Sequence, residues 1–212
     1  MSERYGDHGS AVGAIQRRLN CANPTRLPRL TVDDDFGAMT MARLMEWQKI
    51  VRLRDDGVAG PSTHPRLDRL PETCTSAASP SGRCILANLF DRRADVFADG
   101  RRLRRLSPIL GGRPSAPSDL GVFRVHSCDE DHTSSQFPSP TPNMRYAVFY
   151  NRGEAFHQGN TSVLSHGCVH CTASDGGWLF NWVLGHARGR SRSERERQCR
   201  TADVMVIVVG PR

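Results

Sequence analysis

The chain has 212 residues, enough for one medium domain and a small companion, so two domains are expected. Its formal net charge of +7 is almost all arginine, because Lys49 is the single lysine, and no stretch approaches the roughly 20 consecutive apolar residues of a membrane span. The basic runs at 101–105 and 188–200 lack the interleaved aromatics on which a single-strand groove stacks bases. They are expected as solvated faces or a mobile loop, with no nucleic-acid partner.

Residues 1–10 are polar and lack the apolar core of a secretory signal, so either a signal has been removed or export takes another route. Val12, Ile15 and Leu19 fall at i, i+3 and i+7 of a first helix, with Ser10 as its N-cap. After the Asp-rich turn at 31–37, residues 40–51 form a second helix with Leu44, Trp47, Gln48 and Val51 along one stripe. The turn at 55–63 leads into a short third helix ending near Leu70. Residues 1–71 therefore read as a small three-helix bundle. Residues 72–83 are rich in Ser, Ala and Pro and read as a linker, bracketed by Cys74 and Cys84; a disulfide from either restrains domain orientation.

From residue 84 the pattern becomes extended. Strands are expected at 84–89 and 94–98, then, after a hairpin turn at Asp99-Gly100, at 102–110, 121–126, 146–150 and 154–156. Residues 204–209 are a run of buried-strand type. Trp178, Leu179, Trp182 and Val183 mark one helix over 173–183, with both tryptophans in the core. The fold class is multidomain, α plus mainly β, with the second domain over 84–212.

Cysteines stand at 21, 74, 84, 128, 168, 171 and 199, many for a reducing compartment. Six paired and one working thiol is the simplest partition, with connectivity open. Acyl transfer from an amide needs a nucleophile, a base and donors for the oxyanion. His157 lies eleven residues before Cys168, and a strand followed by a returning loop places imidazole beside thiol. Gly167 permits a sharp turn. The amides of Cys168 and Gly167 are candidate oxyanion donors, and the following helix is expected to aim its positive end at the thiolate. "CVHC" also reads as a redox pair or part of a zinc site, but lacks the βαβ context of the first and the paired knuckles of the second. No metal and no cofactor are expected. Cys171 is expected as a disulfide partner or buried thiol. His126 and His132 are expected in loops and His186 at a helix end, without chemistry.

Two resemblances attach to these residues. "VDDDFGAMT…WQ" followed by "DDGVAGPSTHPRL" resembles the peptidoglycan-binding type 1 module, over roughly residues 6–70. "GRPSAPSDLGVFRV", "MRYAVFYNRGEAFHQG" and "SHGCVHCTASDGGWLFNWV" resemble the frame and motif of the YkuD-type L,D-transpeptidases, over 84–209. That resemblance implies a β-rich sandwich with one helix after the Cys motif. It also implies that the Cys168 thiolate attacks a diamino-acid carbonyl in a stem tetrapeptide and expels the terminal D-Ala. The amine of a second stem peptide then resolves the acyl-enzyme into a crosslink, whereas water gives carboxypeptidase activity. By the same resemblance His157 is the base, His166 and Ser165 shape the site or assist the acceptor, and Tyr146 lines the donor channel. His170 stands where many members carry Arg or Asn, Gln158 replaces a usual Gly, and the family's Thr-Pro-Thr-Gly stretch is altered over 116–121, so substrate contacts are expected to differ. Implied partners are peptidoglycan stem peptides and glycan, with covalent inhibition by carbapenems, in a monomer of the bacterial envelope. The alternatives are a peptidoglycan-directed cysteine hydrolase or exported toxin, and a catalytically silent wall-binding protein.

Overall fold

In the helical module, α1 (Ser10–Cys21) and α2 (Ala38–Ile50) bury Val12, Ile15, Leu19, Leu44 and Met45 against one another, and the short α3 (His64–Leu67) closes the group through Leu67. The computed structural model describes residues 2–74, 79–185 and 191–211. Gly9, not Ser10, occupies the N-cap of α1: its carbonyl accepts from the Val12 and Gly13 amides, and Ser10 is already helical. Two buried glutamines organise the Asp-rich turns. Gln16 Nε2 donates to Asp33 Oδ1 at 2.7 Å and to the Asp35 carbonyl at 2.9 Å. Gln48 accepts from the Gly57 amide at 2.9 Å and donates to the Val58 carbonyl at 3.0 Å. An amide side chain suits such turns because one group offers both donors and acceptors.

The segment expected as a linker is tied down where it is described. Cys74 forms a disulfide with Cys21, and the Ser81 amide donates to the Thr25 carbonyl at 2.9 Å. Residues 75–78 lie outside the described residues.

Beyond it come β1 (Arg83–Asn88), β2 (Arg93–Ala98), β3 (Arg101–Leu106), β4 (Gly121–Arg124), β5 (Ser127–His132), β6 (Met144–Asn151), β7 (Glu154–Gln158) and β8 (Val169–Cys171). Helices α4 (Ala173–Leu184) and α5 (Arg192–Arg200) precede β9 (Val204–Val209). One sheet has the order β3-β2-β1-β9-β4 and the other β5-β6-β7-β8. Most pairs are antiparallel, whereas β1–β9 and β7–β8 are parallel. The strand expected over 102–110 stops at Leu106, because Pro108 has no amide to donate to a ladder; Leu110 then bridges to His170 instead.

Every residue of β9 is buried. Val204, Val206 and Val208 join the core between the sheets, with α4 packed into the same core through Leu179, Phe180 and Val183. Met205, Ile207 and Val209 point the other way and share a second core with Leu19, Leu44 and Trp47 of the module. The module is thus the cover of one sheet face. Polar contacts fasten it there: Asp55 Oδ2 accepts from the Val122 amide at 2.8 Å, Arg26 pairs with Asp203 at 2.8 Å, and Tyr5 stacks on Phe90 at 3.8 Å.

Two disulfides are present, Cys21–Cys74 and Cys128–Cys199, leaving Cys84, Cys168 and Cys171 as thiols. The expected six-to-one partition is corrected, because Cys84 faces the module-side core and Cys171 the inter-sheet core, on opposite sides of a sheet. Cys128–Cys199 clamps α5 onto β5, where Arg192 pairs with Asp129 at 3.0 Å and Arg195 with Glu130 at 3.3 Å. The Arg-rich stretch is therefore helical and ion-paired over 192–200; residues 186–190, with His186, lie outside the described residues. Among the described residues no helix is long and apolar enough to cross a membrane.

A shared core has a cooperative consequence. Replacing the fully buried Ile207, on the module-facing side, by Ala should cost roughly 2–5 kcal/mol through lost burial and the cavity left behind. Calorimetry of the whole chain should show one transition moving down as a unit. Two resolved transitions, with only one displaced, would contradict the shared core.

Candidate active site

A cleft of about 490 Å³ opens on the sheet that ends in β8. β7 and β8 run parallel in the register Phe156↔Val169 and His157↔His170, so His157 and His170 stand side by side, ring centroids 4.9 Å apart and tilted by 74°. Cys168 immediately precedes β8 and, two residues before His170, shares its side of the extended chain. Cys168, His157, His166, Ser165 and His170 all line the cleft.

The turn bearing Cys168 is held from several directions. Ser165 Oγ accepts from the Gly167 amide at 3.1 Å and donates to the Cys168 carbonyl. Ser118 Oγ donates to the Gly167 carbonyl at 2.7 Å while accepting from the Gly112 amide at 2.9 Å. The Ser165 amide donates to the Gly111 carbonyl at 3.0 Å, and Leu110 and His170 exchange backbone bonds of 3.0 and 2.8 Å. Segment 110–118 is thus a strap across the motif. Gly167 adopts φ +118°, a conformation that side chains rarely take. Its N–H is occupied by Ser165, whereas no hydrogen bond among the described residues engages the Cys168 N–H. Of the two expected oxyanion donors, the Cys168 amide is the one left open.

His157 Nδ1 faces the Gln158 carbonyl at 2.7 Å and must donate to it, which leaves Nε2 with its lone pair. Burial, followed by the neighbouring His170 and His132, lowers the His157 pKa to about 4, against the opposing effect of the Gln158 bond. The imidazole is neutral at pH 7. Burial also raises the Cys168 thiol, with Glu154 adding to the rise and the Ala155 amide opposing it; the thiol donates to the Gly153 carbonyl at 3.7 Å. The resting pair is neutral thiol and neutral imidazole.

Other expectations also change. β8 separates Cys168 from α4, whose N-terminal turn is occupied by its own Asp175, itself bound to Arg104 at 2.8 Å and to the Ser107 amide at 3.2 Å. The helix dipole acts within its first turn and is not aimed at the sulfur. Cys171, an odd number of residues from Cys168 in extended chain, points to the opposite face, where it is fully buried and donates to the His157 carbonyl at 3.2 Å. That geometry separates the two sulfurs of "CVHC", and among the described residues no group of three metal-binding side chains converges.

Tyr146 is not on the cleft. It has φ +59° and packs into the inter-sheet core, against Phe180 at 6.0 Å and the Gly177 backbone. His132, expected in a loop, ends β5 and lines the cleft, its ring edge-on to Phe149 at 5.0 Å. His166 is exposed and lies under Phe137, 4.1 Å between ring centroids. His170 Nδ1 donates toward the carbonyls of Asn160 and Val163 at 3.0 and 3.2 Å, anchoring the loop between β7 and β8. Gly159 allows that loop to close, since a Cβ there would lie 2.6 Å from the His170 ring. Trp178 and Trp182 stack at 6.1 Å with Arg104 and Arg83 over their faces, at the margin of the core.

Two family models match the chain. The L,D-transpeptidase catalytic domain (YkuD) matches residues 82–208, and a peptidoglycan binding domain (PG_binding_1) matches residues 8–67. Among curated proteins none matches. Of solved structures, the chain is similar to an L,D-transpeptidase from Xylanimonas cellulosilytica, 22% identical over 99% of this chain and 98% of that one, TM-score 0.45. It is also similar to one from Stackebrandtia nassauensis, 17% identical over 99% and 96%, TM-score 0.49. With more than half its length matched by the catalytic-domain model, this chain belongs to the YkuD family of L,D-transpeptidase catalytic domains and carries a peptidoglycan binding domain before it.

Proposed function

We propose that the chain is a peptidoglycan L,D-transpeptidase that joins stem peptides through an acyl-enzyme on Cys168, acting at the bacterial cell wall. The observation that carries this reading is a half-buried thiol opening on the same cleft as an imidazole whose Nδ1 is already committed and whose Nε2 is free to take a proton. As Sγ attacks the diamino-acid carbonyl of a donor stem, its proton passes to His157 Nε2. The oxyanion accepts from the Cys168 N–H. The imidazolium then returns the proton to the departing D-Ala amine, leaving a thioester. The amine of a second stem peptide attacks the thioester, His157 again takes the proton, and as the C–S bond breaks the proton returns to the departing Cys168 Sγ. Ser165, Gly167 and Ser118 hold the turn in the attacking conformation, and His166 and His170 flank the approach. The peptidoglycan binding domain supports a polymeric wall substrate.

A carbapenem should acylate Cys168 through its strained lactam, giving an intact-mass adduct that is lost in Cys168→Ala. Failure to form the adduct, together with no D-Ala release from a tetrapeptide, would overturn the reading. Among active outcomes, a crosslinked dimer supports transfer, whereas tripeptide alone assigns a hydrolase.

The base has a pH signature of stated sign. His157 is lowered to about 4 by burial, so it is neutral and competent above that value and is lost as pH falls through it. The acylation rate should therefore hold from neutrality down to about pH 5 and decline only near 4. A decline centred on the ordinary histidine value of about 6.5 would exclude this environment for the base.

A further inference from the structure

Glu154 has no part in the steps above, yet its charge acts on the Cys168 thiol. It opens β7, and its Oε1 lies 3.0 Å from where a Gly167 Cβ would stand, so the carboxyl rests directly beneath the backbone that carries Cys168. Neutral donors hold it there: the Asp119 amide at 3.0 Å to Oε1 and Asn151 Nδ2 at 3.2 Å to Oε2, with the buried Tyr150 hydroxyl beside them. Asn151 Nδ2 also donates to Asp119 Oδ2 at 2.8 Å, which fixes a second carboxylate beside the first. No cation among the described residues forms a salt bridge with Glu154. The groups facing it are Asp119 from the segment between the strap and β4, the buried Tyr150 from β6 and the Cys168 thiol; His132, His157, His166 and His170 line the cleft side of that thiol.

We propose that Glu154 is a positioning residue that keeps the Cys168 nucleophile protonated until a substrate is in place. Resting on the reading of Cys168 as nucleophile, the inference follows from charge and geometry. A carboxylate held by neutral donors and matched to no cation retains its field, and that field opposes a second negative charge on the nearby sulfur. Burial raises the Glu154 carboxyl and the Cys168 thiol alike, and the carboxyl, the stronger acid, ionises first. At the pH where the thiol would titrate, Glu154 is therefore anionic. The thiol loses its proton only as the S–C bond forms, when Nε2 of His157 accepts it and the negative charge passes to the substrate oxygen, where the Cys168 N–H receives it. Because the thiolate is also the form that oxidants attack, the resting thiol is protected.

The test uses iodoacetamide, which reacts with thiolate and needs no peptide or lactam. Alkylation of Cys168, read on its own peptide by mass spectrometry, is followed from about pH 6 to about pH 10; the wild-type midpoint should lie above the ordinary thiol value of about 8.5. Glu154→Gln removes the charge and retains an acceptor for Asp119. Its midpoint should fall by about half to one unit, with alkylation at pH 7 about threefold to tenfold faster. Loosening of the turn alone would scale the rate at every pH and leave the midpoint in place, which would overturn the proposal, as would a wild-type midpoint at or below the ordinary value. If Glu154→Gln does not accumulate as folded protein, Glu154→Ala carries the same expectation. A wild-type carbapenem adduct with no midpoint shift sinks the role of Glu154 alone; a midpoint shift without any adduct sinks the transpeptidase reading alone.

Discussion

The constraint on which the rest of the structure depends is that β9 is buried on both faces. Six consecutive apolar residues cannot be satisfied by one core, because alternate side chains leave opposite sides of a strand. One set closes the space between the sheets; the other needs a separate cover, and the helical module supplies it. This explains why the module meets the sheet through Met205, Ile207, Leu86 and Phe97, and why its Asp55 reaches the edge amide of Val122. With the first sheet held between two apolar layers, the strap at 110–118 leaves it from a fixed origin and crosses to the motif, where Ser118 holds the Gly167 carbonyl.

At the site, the parallel register of β7 and β8 does the arranging. Parallel strands need a crossover, and here the loop between His157 and Cys168 provides it, pinned by His170 to its own carbonyls. The same loop that makes the connection thereby forms one wall of the cleft, through Val163 and Leu164. Burial acts on both reacting groups in the direction of neutrality, lowering the imidazole and raising the thiol. The resting site carries no thiolate–imidazolium pair, and charge develops only during attack, when the Cys168 amide is open to receive it.

Much of this was legible in the sequence because it rests on short-range chemistry. Helical periodicity located α1, α2 and α4, and the spacing from His157 to Cys168 was enough to bring both to one cleft. What was not legible depends on distant partners. The strand Ser127–His132 has only Cys128 as an apolar inward residue, and α5 is polar or charged except for Cys199, so neither shows a period; a disulfide and ion pairs between them replace the missing apolar face. The three-residue β8 is too short to announce itself, and overlooking it brought α4 one element too close to the sulfur. Tyr146 was misplaced for a backbone reason. Its positive φ interrupts the alternation along β6, so that Met144 and Ala147, three apart, both face the cleft side while Tyr146 and Val148 turn to the inter-sheet core.

Gly167 shows how these levels meet at one atom. Its left-handed backbone accounts for part of the need for glycine, and so does the Glu154 carboxyl beneath it, which occupies the volume a side chain would take. A small residue ten positions after His157 and an acid fourteen positions before Cys168 would be weak signals taken one at a time. In the fold they form a single contact: the turn sits on the acid, the acid is fixed by Asp119 and Asn151, and Asp119 directly follows Ser118 at the end of the strap. The backbone geometry of the nucleophile and the charge around it therefore share the same supports. A change in the strap reaches the thiol along two routes, one through the Gly167 carbonyl and one through the Glu154 carboxyl, without touching a residue that exchanges protons or bonds with substrate.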